Sequence, residues 1–301
     1  MAKTPHMEYL DFDVLAGIDN MQLLAKVVVE GFLLGLHRSP YRGFSVEFAE
    51  YRQYSPGDEI KHIDWKVFGK TDRYYIKQFE EETNLACYIL LDASASMGFK
   101  SSETGLTKLQ YGCCLTACLS YFMMRQRDAT GLMVFDNQVR SVLPPRLRQT
   151  HMKHILAELE GCRPGGETDL AGPLHHLAEG LKRRGLIILI SDLLDEPEKV
   201  LSALQHFRFQ GHDIIVFHLM DNAELTFPYD TMTEFTDVEN GQKTLVSPEG
   251  IRAAYMKELR GFLSRYEKGC ADVKADYKLF DTAQPLELAL SEYLFRRSRL
   301  N

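Results

Sequence analysis

The run Ala-Cys-Tyr-Ile-Leu-Leu-Asp-Ala-Ser-Ala-Ser-Met-Gly, residues 86–98, decides how the rest of the chain is read. Cys87 to Leu91 are uninterrupted apolar residues, too few for a helix and without polar alternation. They predict a strand buried on both faces. The run stops at Asp92, and Ser94 and Ser96 follow with only alanines between them. In an open α/β sheet, ligands bind beyond the carboxyl ends of the strands, and these three side chains are expected there, at a solvent-facing edge outside the core. A carboxylate with two hydroxyls is a set of hard oxygen donors of the kind Mg²⁺ takes. Such a run alone fits equally well an ordinary strand-to-helix loop in which Ser96 caps the next helix.

Reading outward towards the C-terminus, strand and helix signals alternate. Leu106 to Arg125 predicts a buried helix, and Ala129 to Asp136 the next strand, with Val139 to Leu143 pairing back as a hairpin edge. Gln149 to Leu159 reads as helix, Gly165 to Asp169 as a glycine-rich loop, and Leu170 to Lys182 as helix again. Gly185 to Asp192 is a second buried strand ending in an acid. Glu196 to Phe209 is helical with Pro197 in its first turn, and Asp213 to Leu219 is a further strand. This alternation specifies an α/β fold: a Rossmann-like, mostly parallel sheet with helices on both faces. A hairpin insertion is expected near 232–246, where Asn240-Gly241 marks the turn. A helix from Ser247 to about Lys268, a strand at Asp276–Phe280 and a terminal helix from Pro285 to Arg297 complete this domain, residues 83–301.

Residues 1–82 differ in character. A helix is expected from Asn20 to Leu36, followed by short aromatic runs broken by Ser55-Pro56-Gly57-Asp58, which read as strands and a tight turn. This region predicts a small N-terminal β-containing module packed on the main domain, with Trp65 and its tyrosines in the contact. Arg52, Lys61, Lys66 and Arg73 are interleaved with those aromatics, but so are Glu47, Glu50, Asp58, Glu59, Asp64 and Asp72. The mixture does not make a nucleic-acid face.

Composition narrows the class further. The 301 residues are 45% hydrophobic, enough for a large core, and the formal charge of −7 disfavours nucleic acid and anionic membranes as partners. No apolar stretch approaches the roughly 20 residues of a membrane span, and the first residues lack a secretory pattern. The six cysteines form no Cys-x-x-Cys pair and read as reduced, mostly buried thiols. A cytoplasmic protein is therefore expected.

Parallel strands send their carboxyl ends to one side, so Asp92, Ser94, Ser96 and Asp192 belong to one edge. Thr168, in a glycine loop ahead of a helix, can approach it. Taken singly, Thr168 is an N-cap and Asp192 a strand-end acid; taken jointly, five oxygen side chains converge. The set Asp92-x-Ser94-x-Ser96, Thr168 and Asp192 resembles the metal-ion-dependent adhesion site of von Willebrand factor A domains. That resemblance implies Mg²⁺ held by the Ser94 and Ser96 hydroxyls, by Thr168 directly or through water, and by Asp92 and Asp192 largely through waters. Mn²⁺ or Ca²⁺ is an alternative ion. The N-terminal region adds Glu47-Phe48, Tyr51-Arg52, Pro56-Gly57-Asp58, Ile63-Asp64-Trp65 and Phe79-Glu80-Glu81-Glu82. Together these resemble the bacterial domain-of-unknown-function family 58, over roughly residues 30–220. Relatives there carry a von Willebrand factor A-like domain and are associated with MoxR-type AAA+ ATPases. Gly69-Lys70 departs from the Ala-Arg common at that place in the family.

The expected function is a non-enzymatic, Mg²⁺-dependent interaction module, an adaptor or co-chaperone of a MoxR-type AAA+ ATPase, engaging an acidic side chain on its partner. The alternative is a metal-dependent phosphoester hydrolase using the same strand end. Such an enzyme of the haloacid dehalogenase type would need a second acid where Ser94 stands. His151 with His154, and His175 with His176, are expected on helix surfaces and not as ligands.

Overall fold

The structure is a computed structural model. It describes residues 86–286 apart from 104, 167–168, 182 and 237–240, together with 21, 25, 26, 28, 29, 51–53, 69, 73–77 and 291. Trp65, most of the proposed N-terminal module, Thr168 and most of the expected terminal helix lie outside the described residues.

Two short strands, β1 (Tyr51–Gln53) and β2 (Tyr75–Lys77), pair antiparallel. The main sheet starts with β3 (Ala86–Asp92), which leads through a 3₁₀ turn (Ala95–Gly98) into α1 (Lys108–Arg125). Then come β4 (Ala129–Phe135), β5 (Val139–Arg146), α2 (Gln149–Gly161), α3 (Ala171–Gly180) and β6 (Gly185–Ser191). They are followed by α4 (Pro197–Phe209), β7 (Asp213–Met220) and a short α5 (Asn222–Thr226). The hairpin strands β8 (Thr233–Thr236) and β9 (Lys243–Val246), the long α6 (Pro248–Asp272) and β10 (Asp276–Asp281) end the series.

The six-stranded sheet has the order β10-β7-β6-β3-β4-β5, parallel except for β5. The order in which strands are added reverses beside β3, so the switch point of this doubly wound sheet falls where the Asp92 loop emerges. β5 alternates exposed and half-buried residues and carries Pro144 and Pro145, which suits its place at the edge of the sheet among the described residues.

The unbroken apolar strands are explained by two layers. Along β3, Ile89 and Leu91 face one core while Tyr88 and Leu90 face the other; β6 divides likewise, Ile188 and Ile190 against Ile187 and Leu189. Successive side chains on a strand point to opposite faces, so both must be apolar when helices cover both sides. The first face is covered by α1 and α2, and the fully buried helical residues Ala25, Val28 and Val29 join it. The second is covered by α3, α4 and α6, through residues such as Leu174, Leu204, Phe207 and Tyr266. Gly112 lets α1 lie close on the sheet: a Cβ there would come within 3.0 Å of Leu91 Cδ1, tighter than an ordinary contact.

Candidate metal centre

Asp92 is the last residue of β3, and the next amide, Ala93 N–H, still donates to the Phe135 carbonyl at 2.7 Å. Beyond it the Ser94 amide turns back to donate to Asp92 Oδ1 at 2.8 Å. That turn brings the Ser94 and Ser96 hydroxyls to 3.1 Å from each other. The second Asp92 oxygen accepts the Ser191 hydroxyl at 2.6 Å, and Ser191 Oγ in turn accepts the Leu193 amide at 2.9 Å. β6 is thereby tied to β3 at the edge through Ser191, which the sequence analysis passed over. The available signal was a lone hydroxyl closing a strand of leucines and isoleucines.

These groups do not stand at an open edge. Asp92 and Ser94 are fully buried, Ser96 is 5% exposed and Asp192 1%. The sequence placed them outside the core; the glycine loop folded against them accounts for part of the difference. Gly165 N–H donates to the Ala93 carbonyl at 3.0 Å, and the Ala95 amide donates to the Gly166 carbonyl at 3.2 Å. On the far side of residues 167–168, the Leu170 amide donates to Asp195 Oδ2 at 2.9 Å. The loop carrying Thr168 is thus pinned at both flanks to the loops that follow β3 and β6. Gly166 is in the left-handed region, φ 79°, and a Cβ on it would collide with the Asp136 carboxylate. Asp136 is ion-paired with Arg140, whose guanidinium also donates to the carbonyls of Arg163 and Gly165 at 2.6 Å each.

The electrostatics centre on a residue the sequence reading did not single out. Lys108, in the first turn of α1, is 1% exposed; its ammonium lies 2.8 Å from Asp192 Oδ2 and 2.7 Å from Glu224 Oε1. Burial works against its charge, but the two facing carboxylates outweigh it and hold the lysine above its usual pKa. Burial raises the Glu224 carboxyl despite the pull of Lys108. Burial, and then the neighbouring Asp192 charge, push the Asp92 carboxyl up to about 7. Asp192 and the half-buried Glu224 thus share one ammonium, while Asp92 has only the Ser94 amide and the Ser191 hydroxyl against its charge.

The donor set fits a small divalent ion. Adjacent ligands on an octahedral Mg²⁺ at about 2.1 Å lie roughly 3 Å apart, and the two serine hydroxyls already stand at 3.1 Å. No group of three or more His, Cys, Asp or Glu suited to a metal occurs among the described residues. An ion here would therefore depend on the hydroxyls. The histidine pairs behave differently from each other: His151 is buried, its Nε2 2.8 Å from the Thr130 carbonyl, which corrects its expected surface position. His175 lies against His206, and His176 is exposed.

A doubly wound, mostly parallel sheet with helices on both faces and its polar loops gathered beside β3 is the α/β class of fold that the sequence led one to expect. Within that class the chain belongs to the family described as "Protein of unknown function DUF58", whose model matches residues 50–261. An uncharacterised protein of Mycobacterium tuberculosis is 24% identical over 234 residues, 77% of this chain and 73% of the relative. Among solved structures, the conserved hypothetical protein BatB from Bacteroides thetaiotaomicron is 17% identical, with TM-score 0.50, over 71% of this chain and 99% of that one. An aerotolerance-related membrane protein from Bacteroides fragilis is 18% identical, with TM-score 0.46, over 69% and 97%. The second of these neighbours is described as a membrane protein, and the expected cytoplasmic placement stands corrected on that finding. No helix among the described residues is long and apolar enough to cross a membrane, and that fact does not restore it.

Proposed function

We propose that the chain is a Mg²⁺-dependent protein-interaction module that works without catalysing a reaction. The observation that supports this most is the buried pair of hydroxyls, Ser94 and Ser96, beside carboxylates that one lysine does not neutralise. Ser94 and Ser96 would hold the ion, with Thr168, Asp92 and Asp192 completing the set as the family resemblance implies. Asp92 orients the loop by accepting the Ser94 amide and the Ser191 hydroxyl, which leaves it suited to an outer role through water. Lys108 holds Asp192 in a fixed position and limits the negative charge offered to an ion. When bound, an ion ligated largely by neutral hydroxyls keeps enough positive charge to attract a partner's carboxylate.

A non-enzymatic role is favoured because, among the described residues, the groups at this edge that could serve as a base are already engaged, Asp92 by the Ser94 amide and the Ser191 hydroxyl. Lys108 is committed to two carboxylates, and His218 is fully buried with its Nδ1 2.7 Å from the Tyr277 hydroxyl. The partner we infer is a MoxR-type AAA+ ATPase, for which the chain would serve as adaptor or co-chaperone. The test is recovery of such an ATPase on the immobilised full chain, with Mg²⁺, with EDTA, and with Asp92→Ala. Recovery confined to the Mg²⁺-loaded wild type is expected. Equal recovery in all three would remove this edge as the docking surface.

A further inference from the structure

On the second face of the sheet, where α3 packs against α4, two histidines meet. His175 stands between Leu174 and Leu177, and His206 between Leu204 and Phe207; these four neighbours are buried in one core. That packing fixes both backbones. The two half-buried rings face each other through Nδ1, 3.4 Å apart, with their centroids 5.6 Å apart. The separation exceeds the roughly 2.7–3.2 Å of a well-formed N–H hydrogen bond. It matches a different link: a tetrahedral ion about 2.0–2.1 Å from each of two nitrogens sets them roughly 3.3–3.4 Å apart.

From this geometry we propose that His175 and His206 form a binding site for a divalent ion of the Zn²⁺ class, each through its Nδ1. Imidazole nitrogens suit Zn²⁺, Ni²⁺ and Cu²⁺, whereas Mg²⁺ takes oxygen, so this site and the strand edge would select different ions. A small turn of each ring brings both lone pairs to one point. The outer nitrogen of His206 has its own neighbour. Gln210 Nε2 lies 3.3 Å from His206 Nε2, and Gln210 Oε1 has no partner among the described residues. With the amide turned over, Oε1 accepts the His206 Nε2–H, which keeps the proton off Nδ1 and leaves that nitrogen free to bind. Among the described residues no third His, Cys, Asp or Glu joins the pair, so water or a small added ligand would fill the other positions. His176, next in the chain, is exposed and takes no part. The loop ahead of α4 already holds the start of α3, since the Leu170 amide donates to Asp195. An ion on His175 and His206 would tie the two helices a second time.

The test titrates Zn²⁺ into the chelator-treated, reduced full chain with Mg²⁺ in excess, following the heat of binding and the nitrogen NMR signals of the histidine rings. Zn²⁺ should move the Nδ1 signals of His175 and His206 together while Nε2 of His206 stays protonated. His175→Ala and His206→Ala should each weaken binding at least about tenfold. His176→Ala should leave it unchanged, as should Cys162→Ser, which removes the one partly exposed thiol. The ring signals of the wild type decide the matter by themselves if a variant fails to fold. No binding, Nδ1 signals that stay in place, equal binding by His175→Ala and wild type, or binding lost in His176→Ala or Cys162→Ser would overturn the proposal.

Discussion

Lys108 and His218 show opposite ways of keeping an ionisable side chain inside this sheet edge. Lys108 stays charged because Asp192 and Glu224 surround its ammonium. Removing that charge leaves the buried Asp192 and the half-buried Glu224 without their shared cation, so Lys108→Met should cost about 3–5 kcal/mol in a urea titration. If the edge also receives Mg²⁺, the ion should raise the melting temperature of the variant more than that of the wild type. An equal or smaller rise would show that Asp192 and the ion do not share a field. His218 is kept neutral instead: burial lowers its pKa to about 4. The unfolded imidazole takes up a proton from about 6.5 downward and the native one does not until about 4, so stability present above pH 6.5 is lost as pH falls through that window. The loss should approach about 3 kcal/mol. Asp92 acts in the opposite sense, since its native carboxyl protonates before the unfolded one. The difference between wild type and His218→Phe at each pH therefore isolates the histidine, and identical pH profiles would refute its buried neutral state.

At the scale of elements, the glycine loop between α2 and α3 is what closes the edge. Gly166→Ala would both strain a left-handed backbone position and drive its Cβ into Asp136. A loss of more than about 1 kcal/mol is expected. Faster hydrogen exchange at the Ala95 amide, which donates to Gly166, should accompany it; unchanged exchange there would mean that the loop is not held as described. The order of elements was legible in the sequence because β3, β6 and β7 are continuous apolar runs and the helices between them carry clear periodicity. Boundaries moved by a residue or a few: α3 is Ala171–Gly180 where Leu170 to Lys182 was expected, and α6 runs to Asp272. The short α5 was missed; its capping box, Asp221 with Glu224, was the readable signal. The polar contacts of the site were less legible. Ser191 and Lys108 meet Asp92 and Asp192 only through tertiary register, 99 residues apart in the Ser191–Asp92 case, and no local pattern encodes such a meeting. Burial of the edge was misread for the same reason, because the covering loop is distant in sequence.

For the whole molecule, the sheet gathers chemistry at one edge and covers both faces with helices, so function is confined to loops on a stable frame. The family match from residue 50 to 261 takes in that edge and the antiparallel pair of β1 and β2 alike. Burial of Ala25, Val28 and Val29 in the main core ties part of the N-terminal region to the same frame. The account rests on the claim that Ser94 and Ser96 hold a divalent ion there. Calorimetric titration of Mg²⁺ into the chelator-treated full chain tests it most directly. The wild type should bind at a single site, and Ser94→Ala/Ser96→Ala should bind at least about tenfold more weakly while keeping its circular dichroism, since each loses a ligand to the ion. Binding of equal strength in the two proteins, or none in the wild type, would contradict it.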